Sequence, residues 1–291
     1  ALAVGLGVAV GDMLAQRDVE GGFELCICDD GSSDGGREWL CELAQCLGLR
    51  SSVQEDFTLA GPAPESKPSS GICGDDEHDL GGRTKSQTVS YASLRSASEV
   101  ASGPVPVPSA REVAQRASSS LRRVRLVTTQ PGARGQGSAM SRALAVSRGR
   151  WVAHMESDDE RPEHTLSTLL AAIQRKGKAS NEVPDAVCSQ VYLVCTGKDG
   201  VVEPSTGKAW GGMHRYIQWQ NSVQTSTAMA ASRFVEIPAL HQTCLYSHEK
   251  VQAIGGFELD PRWPVDMEFW MRWFAHGFTA EKVPESLYGW R

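Results

Sequence analysis

No apolar run in this 291-residue chain approaches the roughly 20 residues that a helix needs to cross a bilayer, so no membrane span is expected. Residues 1–10 are small and apolar and lack the basic start of a signal peptide. Positive charge is not in excess either. The formal net charge is −6, which argues against a protein that wraps a polyanion, and nucleic acid is not an expected partner. Paired Cys-x-x-Cys knuckles are missing. The eight cysteines are scattered, and Cys26 and Cys28 alternate with Ile27 inside an apolar run. Such thiols read as buried side chains in a reducing compartment, so a soluble, cytoplasmic protein is expected. No Met opens the sequence, and the first segment already reads as a helix, with Val10, Met13 and Leu14 at helical spacing before Gly21-Gly22 stops the pattern. A strand is expected ahead of that helix, so the sequence reads as truncated at its N-terminus.

Against these absences stand two acidic clusters. Cys28-Asp29-Asp30-Gly31-Ser32-Ser33-Asp34-Gly35 follows the strand-like Phe23-Glu24-Leu25-Cys26-Ile27, and Glu156-Ser157-Asp158-Asp159 follows Trp151-Val152-Ala153-His154-Met155. Acids that leave an apolar run and enter a Gly/Ser turn sit at the carboxyl edge of a sheet, where open α/β folds bind their ligands. Two such edges in one chain point to one shared crevice.

Around the clusters the periodicity alternates between strand and helix. Strands are expected at residues 23–28, 121–128, 149–155 and 186–195, and helices at 36–49, 139–147, 162–176, 247–254 and 267–275. Residues 215–233 read as a connecting segment packed by Tyr216 and Trp219. The strand-then-helix order predicts an α/β fold with a mainly parallel, doubly wound sheet. Residues 51–120 are rich in Ser, Gly and Pro, with too few large apolar groups to offset the cost of ordering, and read as a disordered insertion in a single domain spanning 1–291. Gly5, Gly7 and Gly11 have the wrong spacing for a dinucleotide loop.

The order of these motifs carries a resemblance. Asp29-Asp30-Gly31-Ser32-Ser33-Asp34-Gly35-Gly36, then a Gly-rich loop with a small-residue helix, then Glu156-Ser157-Asp158-Asp159, then Ile254-Gly255-Gly256-Phe257 before an Asp-headed aromatic helix, is similar to the inverting glycosyltransferases of family 2 with the GT-A fold. Arg134-Gly135-Gln136-Gly137 and Arg215-Tyr216-Ile217-Gln218-Trp219 most resemble the branch described as beta-1,3-N-acetylglucosaminyltransferase-like proteins.

The resemblance implies a UDP-sugar donor, with N-acetylglucosamine favoured, a carbohydrate or other hydroxyl acceptor, and a divalent cation, Mn or Mg. Asp30, with Asp29 and Ser32 beside it, is implied as the reader of uracil, since a carboxylate accepts the imide N–H; alternatively these residues cap the next helix. Asp158 is implied as first metal ligand with Asp159 next to it, and Glu156 as facing ribose or a metal-bound water; the alternative is an acidic turn that only starts the following helix. Asp266 is implied as the base that takes the acceptor's proton, helix capping being its alternative, and Glu268 points to another face. Arg134 is implied as a contact to the diphosphate or the base, or is a solvated loop arginine. The chain departs from the family at Glu156, where Asp is usual, at Val265, where Glu is usual, and at Ser141, where Asn is common. These departures leave open a relative that binds a nucleotide-sugar without catalysis. His241, Gln242 and Thr243 read either as lining of the sugar pocket or as structural, and Trp263, Trp270 and Trp273 either as a sugar platform or as core.

Overall fold

The computed structural model describes residues 2–47, 108–129, 135–180, 183–196, 202–204, 211–260 and 262–291. All of them belong to one of the two units into which the chain divides, residues 1–55 with 104–291.

Helix α1 (Leu2–Leu14) leads into strand β1 (Phe23–Asp29) and α2 (Gly36–Cys46). After α3 (Ala110–Ala114) come β2 (Leu121–Thr128), α4 (Gln136–Val146), β3 (Trp151–Ala153) and α5 (Thr165–Ser180). The second half holds β4 (Ala186–Thr196), β5 (Val202–Pro204), α6 (Gly211–Ser222), α7 (Ser226–Ser232), a 3-10 turn (His241–Thr243), β6 (Cys244–Ser247), α8 (His248–Ala253), α9 (Val265–Ala275) and β7 (Ala280–Trp290). Among the described residues no helix is long and apolar enough to cross a membrane.

β1 and β2 pair in parallel, so Asp29 lies beside Thr128 and the turns that follow both strands leave from one edge. β3, β6, β4 and β5 line up in a second sheet, and β7 pairs with β4. The carboxylate of Glu24 spans the two sheets: Arg125 pairs with it at 3.1 Å, and the Gly149 N–H, just ahead of β3, donates to it at 3.1 Å. The expected mainly parallel sheet is in fact mixed. β1–β2 and β4–β7 are parallel, whereas β3–β6, β4–β6 and β4–β5 are antiparallel. The connection through α6 and α7 returns the chain to β4's sheet in the opposite sense.

The principal core lies between this sheet and α9. Phe269, Trp270 and Trp273 are fully buried there with Tyr246 and Tyr288, and each ring of that size contributes about 1.5–3 kcal/mol by leaving water. The Trp270 indole N–H donates to the Ala239 carbonyl at 2.8 Å, so its polar atom is satisfied as well. Cys188 and Cys244, cross-strand partners on β4 and β6, are also buried, while Cys46 is exposed.

Two expectations need correction. The stretch taken as an insertion, residues 51–120, ends in ordered structure. Ser109 and Glu112 form a reciprocal capping box, and α3 buries Ala110 and Val113 in a cluster with Leu14 of α1 and Leu40 and Leu43 of α2. The Ser and Pro content concealed this short apolar face; residues 51–107 lie outside the described residues. Residues 215–233, read as a connecting segment, fall mostly within α6 and α7, with Tyr216 and Trp219 packed against the core. Gly7 and Gly11 lie within α1 and pack closely: a Cβ on Gly7 would meet Pro108 at 2.7 Å and one on Gly11 the Arg116 guanidinium at 2.5 Å.

Candidate active site

The first acidic turn holds its own shape. The Ser32 N–H donates to Asp29 Oδ1 at 3.0 Å, and Asp29 is buried, leaving Ser32 exposed. Helix α2 starts after Gly35, and Asp34 Oδ1 accepts the N–H of its first residue, Gly36, at 3.1 Å, whereas Asp29 and Asp30 accept from Ser32 and Gly135. Asp30 reaches across to the loop after β2, where its Oδ2 accepts the Gly135 N–H at 2.9 Å. Its Oδ1 is buried and has no donor among the described residues.

The second cluster separates into three environments. Glu156 Oε1 accepts from Gln136 Nε2 at 2.6 Å and from Gln242 Nε2 at 3.2 Å, and bonds His154 Nε2 at 2.9 Å. Burial alone would raise its pKa; the bonds from His154, Gln136 and Gln242 outweigh it and bring the carboxyl down to about 2. Asp158 is exposed on the turn. Asp159 faces inward, with Tyr288 donating to Oδ2 at 2.7 Å and the Arg291 N–H to Oδ1 at 3.0 Å. Burial pushes its pKa up to about 6, opposed by those two bonds and assisted by the charges of Asp158 and Glu156. The turn ends well before α5 begins at Thr165, so it does not cap that helix. Among the described residues no three His, Cys, Asp or Glu side chains converge as a metal-binding set.

Asp266 lies in the first turn of α9, whose N-cap is Pro264, and its Oδ1 accepts the neighbouring Met267 N–H at 2.8 Å. Glu268 is committed elsewhere, in an ion pair with Arg272, whose guanidinium also donates to the Ile254 and Gly256 carbonyls. Beneath this turn, His241 Nδ1 bonds the Tyr246 hydroxyl at 2.7 Å and the ring stacks on Trp270 at 6.2 Å. His241 and Thr243 are buried and so do not line an open pocket, while Gln242 between them reaches Glu156. Of the three tryptophans, Trp270 and Trp273 are core and Trp263 is exposed. Arg134 lies outside the described residues.

The N-cap of α4, Gly135, and the first two residues of the helix join these pieces. Gly135 donates to Asp30, Gln136 donates to Glu156, and Gly137 packs so tightly that a Cβ there would lie 1.9 Å from the Glu258 carbonyl oxygen and 3.3 Å from Val265 Cγ2. Three successive residues thus touch the Asp30 turn, the Glu156 turn and the segment that leads to Asp266. Ser141, one turn further, donates to the Phe257 carbonyl at 3.2 Å. His154, which bonds Glu156, belongs to no motif in the sequence; its only signal there is its place at the end of the strand before Glu156.

The fold is similar to that of solved structures. The crystal structure of S. aureus TarS 1–349 superposes with a TM-score of 0.52 at 12% identity, covering 98% of this chain and 56% of that one. A structure of S. aureus TarS matches with a TM-score of 0.49 at 11% identity over 98% and 34% of the two chains. TarS 1–349 in complex with UDP gives 0.48 at 13% identity over 97% and 55%. The chain therefore spans just over half of TarS 1–349, and the likeness defines the fold: this is a GT-A α/β fold. Residues 107–237 match the family described as Glycosyl transferase family 2. The matched span includes α4 and the Glu156 turn and leaves Asp30 and Asp266 on either side. None of the curated proteins matches the chain.

Proposed function

We propose that this chain is an inverting glycosyltransferase that moves a sugar, N-acetylglucosamine being favoured, from a UDP-sugar to an acceptor hydroxyl with the help of Mn or Mg. The observation that carries the reading is the junction at the start of α4, where Gly135, Gln136 and Gly137 touch three acid-bearing segments far apart in sequence. A nucleotide-sugar presents a pyrimidine, a diphosphate and an anomeric carbon in a row, and each segment suits one of them. The buried Asp30 Oδ1, which has no donor among the described residues, suits the imide N–H of uracil. The N-terminus of the 11-residue α4, with no acid in its first turn, suits the diphosphate. The preference for N-acetylglucosamine rests on the likeness of residues 134–137 and 215–219 to the N-acetylglucosaminyltransferase-like branch.

For the cation, Asp158 is the proposed holder, with Glu156 kept ionised at its side and Asp159 backing the turn. A hard divalent ion takes one or two carboxylates from the protein and fills its other positions with phosphate oxygens and water, so this donor set fits. When bound, the ion neutralises charge on the leaving diphosphate.

In the proposed reaction the acceptor oxygen attacks the anomeric carbon from the face opposite the diphosphate. The bond from that carbon to the phosphate oxygen breaks, its electron pair leaves with UDP, and the hydroxyl proton passes to the Asp266 carboxylate. UDP release from UDP-N-acetylglucosamine tests this: Asp266→Asn is expected to lower turnover by about 10²-fold or more while UDP still binds. A wild-type chain that binds UDP but turns over no donor in a panel of UDP-sugars would instead be a non-catalytic nucleotide-sugar-binding relative, the reading favoured by Val265 at a position where the family has Glu.

A further inference from the structure

Seven residues separate Phe257 from the start of α9, and their loop turns apolar groups outward. Trp263 is 60% exposed and Leu259 62%, whereas Trp270 and Trp273 on the helix that follows are fully buried. The loop is not slack. Glu258 Oε1 accepts the N–H groups of Leu259 and Asp260, both at 2.8 Å, and the Trp263 N–H closes a turn on the Asp260 carbonyl at 3.1 Å. Arg262 pairs with Asp260 through both carboxylate oxygens, and its side chain is 84% exposed. The Glu258 carbonyl lies against Gly137, so the loop is clamped to the helix end that touches the other two acidic turns. At its far end, Trp263 precedes Asp266 by three residues.

We infer that Trp263, with Leu259 on the same loop, is the platform on which the ring of an acceptor sugar stacks, and hence that the acceptor is a carbohydrate. This rests on the glycosyl-transfer reading above. A pyranose has one face of C–H groups, which packs on an indole, and a rim of hydroxyls, which a neighbouring carboxylate and guanidinium can bond; Asp260 and Arg262 supply both. A bare hydroxyl compound without a ring needs no such surface. Trp263 stands three residues ahead of Asp266 on the lead-in to α9, and in this inference a ring seated on it presents a hydroxyl to that carboxylate.

Saturation-transfer NMR in the presence of UDP tests the inference, with the methyl β-pyranosides of glucose, galactose and N-acetylglucosamine as probes and glycerol as a hydroxyl without a ring. At least one pyranoside should receive saturation at the C–H protons of one ring face. Trp263→Ala should weaken that binding by about tenfold, while Trp263→Phe should keep it within about threefold. The inference is overturned if no pyranoside binds better than glycerol, or if Trp263→Ala binds as the wild type does. UDP titrated calorimetrically into the same samples reports the donor side separately. Sugar stacking without UDP binding would remove the UDP-sugar reading and leave the platform, and UDP binding without sugar stacking would do the reverse.

Discussion

His241 is the buried group whose titration has the clearest consequence. It is 3% exposed, held by Tyr246 and stacked on Trp270. Burial brings its pKa down to about 3, with His154 acting in the same direction and Glu156 against it. In the unfolded chain the imidazole takes a proton below about pH 6.5, whereas the folded protein refuses it until about pH 3, so stability is full above that range and is lost as the pH falls through it. The slope is at most about 1.4 kcal/mol per pH unit. Asp159 acts oppositely: its raised pKa means that the folded state binds the extra proton between about 4 and about 6, and stability from this group grows on acidification. Denaturant unfolding across pH separates the two. His241→Gln is expected to flatten the acid-side loss by up to one proton's worth, and a variant curve parallel to the wild type would show that the histidine titrates normally.

At the scale of elements, α4 is the piece on which the site depends. Gly137→Ala puts a methyl group where the Glu258 carbonyl already stands, and since that carbonyl is backbone the chain around Glu258 must move. A cost of about 1–3 kcal/mol in stability is expected, with a larger loss of UDP-sugar turnover than that destabilisation explains. Gly212→Ala in α6, where a Cβ meets nothing within 4 Å, is the control and should be neutral or stabilising by about 0.5–1 kcal/mol. Equal behaviour of the two variants would remove α4 from the account. Elements with a clean period were legible in the sequence: α2, β2 and α9 fall within a few residues of where their apolar spacing puts them. β7 was not legible, because Pro284 and Glu285 interrupt its pattern. In the fold they sit at a break in register opposite Ser189, where a proline costs no ladder bond.

Across the whole molecule, the candidate acids stand out in the sequence because each follows a strand or opens a helix, a position that local pattern reveals. Their partners could not. Gln136, His154 and Gln242 meet on one oxygen of Glu156 from a helix, a strand end and a 3-10 turn, and only the packing of those elements decides which polar side chains converge. The same holds for Asp159, which stands beside Asp158 in sequence but turns inward to Tyr288 and Arg291 at the far end of the chain. The central claim is that Asp30, Asp158 and the start of α4 form one donor site. Its most direct test is a calorimetric titration of UDP with Mn into the wild type, Asp30→Ala and Asp158→Ala. The account predicts that the wild type binds UDP and that each substitution weakens binding by about tenfold or more, with the melting transition retained. UDP that fails to bind the wild type, or that binds all three proteins equally, would contradict it.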